Sequence, residues 1–148
     1  MKKLFIALLV LAGFCASAFA AETSTVSYQA QQSFASEFKK ASNVSWTTTA
    51  DYTKVDFVYD DQRMEAFYKS DGEKIGITKG ISLDLLPVKA KRAFAKRFGD
   101  YEVKESIVFE GEEETAYFIS ATKDEQSVIV KVYDNGNTSI FMKEKKQQ

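Results

Sequence analysis

Residues 29–41 read QAQQSFASEFKKA. Ala30, Phe34, Phe38 and Ala41 recur at spacings of 4, 4 and 3, which puts them on one face of a helix. Asn43 is placed to stop that helix. Beyond it the apolar period changes to two. Val44 and Trp46 alternate with polar neighbours; Val55, Phe57 and Tyr59 alternate with Lys54 and Asp56; Met64, Ala66 and Tyr68 alternate again. Asp60-Asp61 makes a turn between two of these runs. Asp71-Gly72 is a strong hairpin signal, because both residue types tolerate positive φ. Ile75 and Ile77 follow on a short strand.

The same order then returns. Pro87 fits the opening turn of a second helix, where its missing N–H costs nothing, and Gly99 fits its end. Val88, Ala90, Phe94 and Phe98 supply the apolar side. Strands resume with Tyr101, Val103, Ile107 and Phe109, then Tyr117, Ile119 and Ala121, then Val128, Val130 and Val132. Asn135-Gly136 is a second hairpin turn, and Ile140 and Met142 close the pattern. Phe34 and Phe38 are echoed by Phe94 and Phe98 at an offset of 60, and Asp71-Gly72 by Asn135-Gly136 at an offset of 64. The expected architecture is α+β: two tandem helix-plus-antiparallel-sheet units, about 29–80 and 81–142, with the helices on one face of the sheet.

Working outward, residues 1–20 read MKKLFIALLVLAGFCASAFA. Lys2 and Lys3 form a basic start, Leu4 to Phe14 an apolar run, and Ala18-Phe19-Ala20 a small-x-small cleavage site. This is the three-part pattern of a secretory signal peptide, with residues 21–148 as a single mature domain. A lipoprotein acylated on Cys15 is the competing reading, but the residue before that cysteine is Phe14 rather than a small one. Processing leaves 18 basic against 21 acidic residues, a net charge of −3, and no cysteine. Disulfides, thiol nucleophiles and thiolate metal sites are then excluded. The chain has no histidine, which removes Ser-His-Asp and Cys-His catalysis and His-ligated zinc. The charge balance argues against a nucleic-acid partner.

Three short motifs follow one another along the chain. Asn43-Val44-Ser45-Trp46 follows the amphipathic helix. Ala66-Phe67-Tyr68 precedes Asp71-Gly72-Glu73 and Ile75-Gly76. Leu86-Pro87 opens the second helix. Together they resemble the PepSY-like family of exported bacterial proteins, typical of Bacteroidetes and described as β-lactamase-inhibitor-like. The resemblance covers residues 29–142. It implies a fold similar to that of β-lactamase inhibitor protein and no enzymatic activity.

Candidate sites are few. Ser36-Glu37-Phe38-Lys39 and Ser120-Ala121-Thr122-Lys123 match the Ser-x-x-Lys spacing of penicillin-binding enzymes, but the Ser-Asp-Asn and Lys-Thr-Gly partners are missing. Glu110-Gly111-Glu112-Glu113-Glu114 and Asp60-Asp61 read as solvated turns rather than Ca²⁺ loops. Lys89, Lys91, Arg92, Lys96 and Arg97 make the second helix basic, which suits either a solvated face or an anionic partner such as lipid A phosphate or an acidic peptide. Strand parity says more. Val58, Phe67, Phe118, Ile129, Tyr133 and Phe141 fall opposite the series that must feed the helices. A one-sided sheet is polar on its free face, so these six residues are expected to form an exposed partner-binding patch. The sequence-based expectation is an exported, non-catalytic binding protein for an envelope protein or peptide, with no cofactor and no membrane anchor after processing. A structural or accessory envelope protein is the alternative, and a His-free hydrolase with paired carboxylates is the remote one.

Overall fold

A computed structural model describes residues 25–145. The signal-peptide segment 1–20 lies outside the described residues. Helix α1 spans Tyr28–Glu37 and is followed by strands β1 (Ser42–Thr48), β2 (Thr53–Tyr59), β3 (Gln62–Tyr68) and β4 (Lys74–Gly80). A short 3-10 turn, Leu83–Leu85, leads into α2 (Val88–Phe98). Strands β5 (Glu102–Gly111), β6 (Thr115–Lys123), β7 (Gln126–Tyr133) and β8 (Thr138–Lys145) complete the described chain. The eight strands form one antiparallel sheet in the order β1 to β8. The second helix does not divide it, because β4 pairs directly with β5, Gly80 opposite Ile107.

Local chemistry sets the boundaries. The Ser27 hydroxyl caps α1 by accepting from the Ala30 N–H at 3.1 Å. The helix ends at Glu37, four residues short of the expected Ala41, and Phe38 becomes its C-cap while its ring stays buried. Asn43 does not stop a helix. It lies inside β1 at φ 52, where an irregularity between Ser42 and Ser45 absorbs its left-handed backbone. Pro87 sits at the N-cap of α2, one position before the first turn. Asp60 and Asp61 both have positive φ and close β2–β3 as a two-residue hairpin.

The tips of the β3–β4 and β7–β8 hairpins are tied to the helices. Gly72 has φ +88, and a Cβ there would stand 2.7 Å from the Gln29 side chain in the first turn of α1. Gly136 has φ +89 and packs on Lys89 in the first turn of α2. In each turn a side chain accepts from the N–H two residues on: Asp71 from Glu73 at 2.9 Å and Asn135 from Asn137 at 2.8 Å.

Both helices lie on one face of the sheet and seal two apolar clusters. Under α1, Phe34 and Phe38 meet Phe57 with ring centroids 4.9 and 4.6 Å apart, beside Val55, Met64 and Ala66. Under α2, Ala90, Phe94 and Phe98 cover Ile119, Val130 and Val132. All four helix-side phenylalanines are buried, as their spacing implies.

Candidate functional site

The opposite face of the sheet carries no helix, yet it holds a third apolar cluster. Tyr52, Phe67, Ile107, Phe109, Ala116, Phe118 and Ile129 are buried there, with Ile75, Tyr133, Phe141 and Met142 packed around them. Strand register builds it. Asp56, Glu65, Thr78, Phe109, Ala116 and Tyr133 are successive cross-strand partners from β2 to β7, so one row runs from an acidic pair to an aromatic end. A second row, Gly80, Ile107, Phe118, Lys131 and Ser139, runs beside it.

The parity reading placed the six candidate residues on this free face, and the expectation that they form an exposed row is corrected for three of them. Phe67 is fully buried, and Phe118 and Ile129 are nearly so, at 7% and 6% exposure. Tyr133, Phe141 and Val58 are half-buried. The reason is aromatic packing across the sheet. Tyr52 meets Phe67 edge-on at 5.8 Å, Phe109 meets Phe67 at 6.4 Å, and Phe141 stands edge-on to Phe118 at 5.5 Å. Phe109 can lie this low because Gly76 and Gly111, paired across β4 and β5, leave room for its ring.

Sequence reasoning missed Tyr52, which lies in the turn before β2, and put Ile107 and Phe109 on the wrong face because the signal it lacked there was a bulge. The register shifts between Val103 and Glu105, so Val103 faces α2 while Ile107 and Phe109 face away. It also passed over a charged group on the same face. Lys54, 8% exposed, reaches Asp56 at 3.1 Å and Glu65 at 3.0 Å, and Thr78 donates to Glu65 at 3.1 Å. Burial pushes the Lys54 ammonium down, but the Glu65 and Asp56 carboxylates outweigh it and hold the group above its usual range. Burial pushes the Glu65 carboxyl up against the pull of Lys54, and Asp56 opposite adds to the rise. At the far side Lys131 lies 4.7 Å from the Tyr133 ring centroid and 5.7 Å from that of Phe118, and it pairs with Glu114 at 2.9 Å.

The raised Glu65 pKa fixes a sign. Its folded value exceeds its unfolded one, so this group contributes stability that is present below about pH 4.5 and lost as pH rises through the folded value. Glu65→Gln removes the titration. In paired thermal melts across pH 4–7, wild type is expected to lose stability relative to Glu65→Gln as pH rises. A difference that stays flat contradicts the assignment.

The remaining candidates have ordinary roles. Ser36 donates to the Ser33 carbonyl, and Lys123 pairs with Asp100, so neither Ser-x-x-Lys match forms a Ser–Lys contact. Glu110 and Glu114 of the acidic turn are taken by Lys79 and Lys131. Among the described residues, no group of three or more acidic side chains is placed to hold a metal ion. The free face therefore presents an aromatic layer with a charged group toward each end.

No family model and no curated protein matches this chain. Solved structures do. A protein of Bacteroides eggerthii, provisionally described as periplasmic, superposes with a TM-score of 0.72 at 17% identity, covering 82% of this chain and 89% of its own. A DUF2874 family protein of Bacteroides ovatus gives 0.70 at 17%, over 82% and 88%. A BLIP-like protein of Bacteroides fragilis gives 0.65 at 15%, over 82% and 86%. At these identities the likeness is one of fold: this chain has a BLIP-like α+β fold.

Proposed function

We propose that this chain is an exported, non-catalytic binding protein of the PepSY-like kind, engaging an envelope protein or peptide through the free face of its sheet. The observation that carries this reading is the third cluster. It is an aromatic layer with no helix over it, in which Tyr133 and Phe141 are only partly buried near Lys131, while the charged group of Lys54 lies at the opposite end of the layer. Export rests on the basic, apolar and small-residue series of residues 1–20, with cleavage after Ala20. No helix among the described residues is long and apolar enough to cross a membrane. The periplasmic description of one structural neighbour agrees with export. We also read residues 29–80 and 81–142 as two copies of one unit, supported by the matching hairpin tips at Gly72 and Gly136.

The binding residues proposed here are Tyr133 and Phe141 over the layer of Phe67, Phe118 and Ile129, with Val58 half-buried toward the other end of the same face. Fully burying an aromatic ring is worth about 1.5–3 kcal/mol. Tyr133→Ser with Phe141→Ser is expected to leave the protein folded and to weaken capture of its envelope partner at least tenfold. Retention of every partner that wild type captures would sink the reading.

A further inference from the structure

We propose that the outward side of α2 is a docking ridge for an anionic lipid surface. The inference goes beyond the sheet-face reading and does not depend on it. Helix α2 carries five basic residues and no acidic one, a quarter of the 20 basic residues in the chain. Ala90, Phe94 and Phe98 turn its inner side to the sheet. Lys89, Arg92 and Lys96, spaced by three and four, therefore line the outer side, and all three are exposed. Among the described residues none of these three has a hydrogen bond or ion pair, whereas Lys91 is bound to Asp84 at 2.7 Å and Arg97 donates to Thr138 at 2.8 Å. The two acids flanking the helix, Asp84 and Asp100, are engaged by Lys91 and Lys123.

A second feature selects the partner. Leu85, in the 3-10 turn before the helix, and Val88, the first residue of the helix, are 73% and 64% exposed. Val88 stands one turn before Arg92 on the outer side. Free cations with protruding aliphatic side chains on a convex helix match a headgroup layer, where phosphates receive the cations and the acyl boundary receives the aliphatics. A small soluble anion would leave Leu85 and Val88 in water. Docked in this way, the protein keeps its free sheet face turned from the bilayer.

Protein purified from the cell envelope after native processing is co-sedimented with vesicles of phosphatidylcholine, with and without phosphatidylglycerol. Binding is expected only to the anionic vesicles, and it should fall as salt rises. The triple variant Lys89→Gln, Arg92→Gln, Lys96→Gln is expected to bind about a hundredfold more weakly, about fivefold per cation, with an unchanged melting temperature. Leu85→Ser with Val88→Ser is expected to lose the part of binding that survives high salt. Equal binding to both vesicle types, or a triple variant that binds like wild type, would overturn the proposal. Retention on polyglutamate without vesicle binding would also overturn it, and would assign the ridge to an acidic polypeptide.

Discussion

Phe94→Ala is expected to cost about 3–5 kcal/mol, the range for emptying a phenylalanine site in a packed core. Phe94 stacks on Phe98 with centroids 5.6 Å apart and sits in the cluster that α2 closes over β6 and β7. Pro87, the N-cap of the helix, gives it no side-chain cap, so its buried rings carry much of its hold on the sheet. A domain of this size has about 5–15 kcal/mol in total, so the melting temperature should fall by about 10 °C or more. Ala95→Ser, on the exposed side of the same turn, should stay within about 0.5 kcal/mol. Equal melting temperatures for the two variants would mean that α2 does not pack as described.

Gly76→Val is the second large expectation, and it acts on the opposite face. A Cβ at Gly76 would come within 2.6 Å of the Phe109 ring and 2.8 Å of the Glu110 carbonyl oxygen. The ring already lies over Gly111, 2.7 Å from where a Cβ would stand if that residue had one, so it has little room to move. Phe109 must leave the aromatic layer or the β4–β5 pairing must open. Either costs about 3 kcal/mol, the upper part of the range for overpacking. Gly80→Ala, on the same strand with nothing within 4 Å of the added carbon, is the control. Melting curves in which both variants match wild type would remove Phe109 from the floor of the free face.

Much of the fold was legible because its period signals are clean. Phe34, Phe38, Phe94 and Phe98 reach the core from the helical spacing alone, and the hairpins at Asp60-Asp61, Asp71-Gly72 and Asn135-Gly136 close where turn chemistry puts them. Two-residue periodicity also assigned Val58, Phe67, Phe118, Ile129, Tyr133 and Phe141 to the face away from the helices. What it could not give was depth. Parity says which side a residue takes, while burial on that side depends on rings arriving from other strands, as Tyr52 and Phe109 arrive beside Phe67. The bulge between Val103 and Glu105 has no local sequence mark, and it moves Phe109 to the other face. Lys54 was read past for a related reason. A lysine in an alternating strand looks solvated, and although Asp56 stands two residues along on the same face, the Glu65 carboxylate comes into reach only when β2 and β3 pair Asp56 with Glu65.

The most direct test of the binding surface is photocrosslinking in living cells, with p-benzoylphenylalanine placed at Phe141 on the free face or at Ala95 on the outer side of α2. The proposed function predicts a discrete protein adduct from position 141, lost when Tyr133→Ser is added, and no protein adduct from position 95. Adducts from position 95 with none from position 141 would contradict it.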